Sequence, residues 1–176
     1  HRVDRRQRQM CIRDRIWVGT DDGNVQLTRD GGKSWSNVGK AMKLGPDTSI
    51  AWVEASRHDP AVAYVAIDRH MFGDMAPYLM KTADYGATWT KLITPATPGV
   101  KGYAHVVKED RIDPNILFVG TEFGLFMSRD RGANWEEFRP GNFPAVAVRD
   151  IAVAAQGDDL VLATHGRGIW IIDDIS

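Results

Sequence analysis

One eight-residue phrase is written three times in this chain, and it narrows the possible folds more than any other feature. Residues 28–35 read TRDGGKSW, residues 82–89 read TADYGATW and residues 128–135 read SRDRGANW. The shared pattern is Ser/Thr-x-Asp-x-Gly-x-polar-Trp. It places Asp30, Gly32 and Trp35 in the first copy, Asp84, Gly86 and Trp89 in the second, and Asp130, Gly132 and Trp135 in the third. The tryptophans are 54 and 46 residues apart, the spacing of solenoid, propeller and array repeats. The chemistry of the phrase is that of a hairpin turn. Its Asp is expected to accept hydrogen bonds from backbone N–H groups a residue or two on, with the Gly at a positive φ. The hydroxyl adds a second local bond, and the Trp that opens the next strand is expected to bury its ring in the core. A turn that recurs in every unit reads as structural, since an active site would need it once.

Between the phrases run short apolar or alternating segments bounded by Gly, Pro and Asp, the pattern of strands. They are 16–20, 25–28, 34–38, 50–55, 63–67, 78–82, 88–93, 104–107, 116–121, 125–128, 134–138, 146–154, 160–164 and 168–172. No apolar period of 3.6 residues is sustained anywhere. The expected fold is all-β, a β-propeller fragment of about three to four four-stranded blades with Asp turns. The blades are expected at roughly 16–38 (partial), 47–93, 102–138 and 146–176 (partial). The first lacks its opening strand and the last its closing strand and turn. Closed propellers need roughly four to eight blades, so the chain is expected to be a piece of a larger propeller. The alternative is an arc that closes by self-association.

Residues 1–15 stand apart from this pattern. They hold six of the arginines against Asp4 and Asp14, and the only cysteine, Cys11. The run from Arg8 to Arg15 resembles translated adapter sequence, and the segment is set aside as non-native. The rest of the chain carries 16 basic and 21 acidic residues. A mildly acidic body offers no electrostatic footprint for nucleic acid. No run of about 18 apolar residues exists to span a membrane.

The sequence also aligns one loop position across the units. After 18–20, 66–67, 119–121 and 162–164 the next residue is Asp21, Asp68, Glu122 and His165. In up-and-down blades these loops emerge together at one mouth of the channel, and the Asp turns at the other. Asp21, Asp68, His70, Glu122, His165 and Arg167 are therefore the candidate ligand-binding residues. Asp68 and Glu122 are the weak candidates for acid and base on a glycosidic bond. Residues 68–77 read as a long functional insertion. His105 and Glu109 read as ordinary polar groups facing the channel. His58, His70, His105 and His165 lack a zinc-binding spacing, so no metal is expected, and no cofactor motif is present.

The three turns resemble the Asp box, or bacterial neuraminidase repeat, of sialidases, sortilin-type receptors and xyloglucanase-like glycoside hydrolases. Residues 105–135 and 159–176 are similar to the end of the propeller in large secreted bacterial proteins of the sortilin-like "glycosyl hydrolase" group. The resemblance covers residues 16–176. It implies preceding blades, a following domain, and a secreted or periplasmic parent whose signal peptide lies upstream. It implies a module that binds a peptide, protein or glycan at the channel mouth, with glycoside hydrolysis as the alternative. The sialidase arginine motif is absent, and the catalytic Asp pair of xyloglucanase-like enzymes has no match, so activity does not follow from it.

Overall fold

Each apolar run becomes a strand, and successive strands pair antiparallel through tight connections. The computed structural model describes residues 8–10, 15–154, 159–173 and 175. Most of the head, Cys11 included, lies outside the described residues. The first sheet has the order β1 (Arg8–Met10), β2 (Ile16–Gly19), β3 (Val25–Thr28) and β4 (Ser36–Asn37). The second runs β5 (Ser49–Ala55), β6 (Ala63–Arg69), β7 (Asp74–Thr82) and β8 (Thr90–Ile93). The third runs β9 (Ala104–Glu109), β10 (Leu117–Thr121), β11 (Gly124–Ser128) and β12 (Glu136–Glu137). The fourth has three strands, β13 (Val148–Val153), β14 (Leu160–Thr164) and β15 (Ile169–Ile172). The molecule is all-β, and its four small antiparallel sheets are built as propeller blades.

Two expectations about the strands change. The first blade does have an opening strand, drawn from the segment that the sequence reading set aside: Arg8–Met10 pairs with Ile16–Val18. The backbone edge of β2 would otherwise present unpaired N–H and C=O groups. The expected long insertion is mostly ladder. Strand β6 continues to Arg69 and β7 begins at Asp74, so only residues 70–73 leave the sheet.

The blades are held together face to face. Trp17, Val25, Leu27, Val53, Val65 and Met80 fill the seam between the first and second blades. Tyr64, Leu79, Ile93, Val107, Leu117 and Phe126 fill the next, and Phe118, Leu125, Val148, Ile151, Leu160 and Leu162 the third. Strands β10 and β11, covered on both faces, are buried at every residue. Strand β15 has one open face, and Ile169 and Ile171 are exposed on it. Glu109, expected to face the channel, is buried in the second seam. It accepts hydrogen bonds from the Tyr64 hydroxyl (2.9 Å) and the Arg57 N–H (3.0 Å), as a buried carboxylate must.

The Asp turns close more widely than expected. Asp30 accepts from the Ser34 N–H and the Thr28 hydroxyl, both at 2.8 Å, and the Gly32 N–H donates back to Thr28. Asp84 and Asp130 repeat the scheme with Thr88 and Thr82, and with Asn134 and Ser128. The backbone bond spans four residues because two consecutive residues have positive φ in each copy: Gly31 and Gly32, Tyr85 and Gly86, Arg131 and Gly132. The tryptophans are buried less than expected: Trp89 and Trp135 are half-buried at the edges of the core clusters in the first two seams. Trp89 is half-buried, donates its indole N–H to the Val38 carbonyl at 3.1 Å, and meets Trp17 edge-on. Trp35, in the first described blade, is 46% exposed.

The box glycines show the same dependence. A Cβ on Gly86 would lie 2.6 Å from Cβ of Val38, and one on Gly132 would lie 2.7 Å from Leu92. A Cβ on Gly32 would meet nothing within 4 Å. Gly32→Ala is expected to cost about 1–2 kcal/mol, from the positive φ alone. Gly86→Ala adds an overpacking cost of about 1–3 kcal/mol against β-branched Val38. Chemical denaturation of the two variants measures the difference, and equal losses would contradict the seam contact.

The turns also set a pH dependence. The Ser34 hydroxyl and N–H hold Asp30 at about 2, below the usual 3.8, and the Asn134 N–H and amide do the same for Asp130. The Thr88 hydroxyl and N–H lower Asp84. A depressed carboxyl stabilises the fold above its unfolded value, and that contribution disappears as pH falls through the folded value. Denaturation midpoints are expected to fall between pH 3.8 and about 2, with a shallower fall in the Asp30→Asn/Asp130→Asn double variant. An identical slope in that variant would remove the boxes from the acid response.

Candidate functional site

Three inner strands carry a bulge at the same place. In β5 the register passes from Ile50↔Ile67 to Trp52↔Ala66 and skips Ala51. In β9 it passes from Ala104↔Thr121 to Val106↔Gly120 and skips His105. In β13 it passes from Val148↔Thr164 to Asp150↔Ala163 and skips Arg149. A bulge leaves one residue outside the ladder and re-aims its side chain. All three skipped residues line one recess of about 330 Å³, together with Asp21, Trp52, Asp68 and His70. The antiparallel order puts this recess at the end where β2–β3, β6–β7 and β10–β11 are joined, opposite the Asp boxes.

Glu122 anchors one wall. It accepts a hydrogen bond from His105 Nε2 at 2.9 Å and another from the Tyr103 hydroxyl, and pairs with Arg149 Nη2 at 3.2 Å. Arg149 Nη1 also reaches His105 Nδ1 at 3.3 Å. These contacts fix the imidazole as the neutral form with the proton on Nε2, since Nδ1 faces a guanidinium donor. Burial lowers the His105 pKa and the Arg149 charge adds to this, outweighing the Glu122 contact that opposes it. Burial by itself would raise Glu122, but the His105 and Tyr103 hydrogen bonds and the Arg149 charge hold its carboxyl below the ordinary range.

The opposite wall belongs to the second blade. Both Asp68 oxygens lie 2.7 Å from His70 Nδ1, and Asp68 Oδ1 accepts the His70 backbone N–H at 2.8 Å. The His70 ring stacks on Tyr103 with centroids 4.4 Å apart and planes 15° from parallel, and Tyr103 meets His105 edge-on. Asp21 is exposed at the edge of the recess.

Of the sequence candidates, Asp21, Asp68 and His70 therefore line one recess, with Glu122 holding its wall. His165 and Arg167 do not line it: both are exposed, and the loop that carries them is closed by the Thr164 hydroxyl on the Gly168 carbonyl. Sequence reasoning missed Arg149 and Tyr103 and treated His105 as an ordinary wall residue. Equivalent inner-strand positions 51, 105 and 149 could have been aligned, but the bulge that turns them inward leaves no mark in the apolar pattern.

No family model matches the sequence, and no curated protein sequence does. Solved structures do match. The structure titled YCF48 bound to D1 peptide superposes with a TM-score of 0.65 at 17% identity, over 94% of this chain and 50% of that one. An ancestral GH74 enzyme matches with a TM-score of 0.64 at 20% identity, over 85% of this chain and 20% of that one. The GH74 xyloglucanase of Xanthomonas campestris matches at 0.60 and 16% identity, over 90% and 27%. In structure, this chain is similar to Asp-box propeller proteins. It spans half the length of the YCF48 chain and a smaller share of the GH74 chains.

The His105 assignment can be tested by ¹⁵N NMR of the imidazole across a pH titration. The expected result is a neutral Nε2-protonated ring at pH 7 and a midpoint below 6.5. Because the neutral form is favoured in the fold, stability is expected to fall as pH drops below the unfolded value toward the folded one. A midpoint above 6.5 would contradict the Arg149 contact.

Proposed function

We propose that this chain is the mouth-bearing segment of a peptide-binding propeller. The observation that carries this reading is the state of the two candidate catalytic carboxylates. Glu122 is committed to three donors and its pKa is lowered, whereas a general acid needs a raised one. Asp68 is committed to His70. What remains open to a ligand is a recess with an aromatic wall and fixed polar groups, the features of a binding site. The YCF48 structure, with its bound D1 peptide, supports a peptide over a glycan. Closure by further blades of a longer parent chain, and export of that parent, are parts of the same proposal. The resemblance of the repeats to secreted proteins supports export.

Peptide and oligosaccharide libraries titrated onto the 176-residue chain, with the His70 and His105 ring signals as readout, test the reading. Peptides are expected to shift both rings and xyloglucan oligosaccharides to leave them unmoved. An oligosaccharide that is cleaved, with the rate lost in Glu122→Gln, would overturn the binding reading in favour of hydrolysis.

A further inference from the structure

The two faces of β6 carry different chemistry. Asp68 lines the mouth recess, and strand alternation turns its neighbours Ile67 and Arg69 the other way. There they line a second cavity, of about 180 Å³, between the second blade and the loop of residues 42–48 that leads into β5. It shares no lining residue with the recess. Its floor is apolar, made by Met42, Leu44, Ile67, Met80 and Ile93, all buried except the half-buried Leu44.

The charge around this floor has one sign. Lys43, Arg69 and Lys91 line the cavity, and no carboxylate does. Arg69 is already engaged: it pairs with Asp74 at 3.4 Å and donates from Nε to the Asp47 carbonyl at 3.4 Å. Lys43 and Lys91 are exposed, and neither forms an ion pair with a described residue. The cavity therefore joins two uncompensated ammonium groups to an apolar floor.

Its walls are shaped by irregular backbone on both sides. The β6–β7 ladder breaks register between Ile67 and Arg69, and the β7–β8 ladder between Leu79 and Met80. Such breaks re-aim side chains, and Ile67, Arg69 and Met80 all line the cavity. In the facing loop, Lys43 and Asp47 have φ of 52° and 63°. Outside the Asp boxes they are the only non-glycine residues with positive φ among the described residues. That conformation persists where surrounding contacts hold it. Here Arg69 holds the Asp47 carbonyl, and the Thr48 hydroxyl donates to the Gly45 carbonyl at 3.0 Å.

An apolar cavity of about 150 Å³ accepts a benzene ring, and paired ammonium groups select an anion. We propose that this cavity binds a small amphipathic carboxylate. An apolar body of about one aromatic ring lies against Met42, Ile67 and Met80, and the carboxylate sits between Lys43 and Lys91. The site is independent of the peptide-binding reading of the mouth.

Phenylacetate, with neutral phenylacetamide and ring-free acetate as controls, tests this when titrated onto the 176-residue chain carrying ¹³C in its methionine methyl groups. Met42 and Met80 line the cavity, whereas Met71, Met75 and Met127 do not. Phenylacetate is expected to shift Met42 and Met80 and leave the other three in place, with a millimolar Kd for a ligand of this size. It should bind about tenfold tighter than phenylacetamide, the scale of two exposed ion pairs, and acetate should shift neither signal. In Lys43→Asn/Lys91→Gln the acid should bind no tighter than the amide. Asn is used at position 43 because it tolerates a positive φ, and amide affinity reports the integrity of the variant. The comparison of acid with amide on the unaltered chain stands without the variant. Met42 and Met80 signals that do not move, equal affinity for acid and amide, or an acid preference that survives the double substitution overturns the inference. The mouth is read separately, through the His70 and His105 rings.

Discussion

Apolar packing of one blade on the next is the interaction on which the rest of this molecule depends. A sheet of four short strands has two faces and no interior, so each blade reaches stability only by burying a face on its neighbour. Strands β10 and β11, with neighbours on both sides, are buried throughout, whereas β15 leaves Ile169 and Ile171 in solvent. The Asp box serves this packing. Its hydrogen bonds are local, but what they position against the preceding blade is a glycine without Cβ, at Gly86 and Gly132, and in the second blade the Trp89 indole edge. In the first described blade the same turn forms with Trp35 exposed and open space beside Gly32.

The recess follows from the same constraint. Its polar groups come from four blades: Asp21 from the first, Asp68 and His70 from the second, His105 and Glu122 from the third, and Arg149 from the fourth. No single blade could assemble them. The seams fix the rotation between blades, and the bulges then decide which inner-strand residue looks into the channel. Once Arg149 is brought to Glu122, the tautomer of His105 and the ionisation of Glu122 follow from ordinary electrostatics. The charge balance of the recess therefore reflects packing between sheets more than overall composition.

Much of this was legible in the chain. The repeat, the period-two strands and the loop position shared by Asp21, Asp68 and Glu122 all came from local rules, and the mouth to which they belong followed from strand alternation alone. The weak points have a common origin. The expected burial of the box tryptophans is only partial, half for Trp89 and Trp135 and less for Trp35, because seam contacts depend on a neighbouring blade. The apparent insertion at 68–77 hid a lengthened hairpin, since Asp74, Ala76 and Pro77 are residue types depleted in strands. His105 and Arg149 looked unremarkable because a bulge shifts register by one residue, and the apolar pattern tolerates that shift.

The sequence by itself determined the kind of strand, the kind of turn and the unit length, because these rest on hydrogen bonds and side-chain periods within a few residues. Only the tertiary structure decided which side chains meet in the recess. Those outcomes depend on register and on contact between blades, as between His105 and Arg149, 44 residues apart, where the free energy belongs to the assembled seam and no local segment carries it.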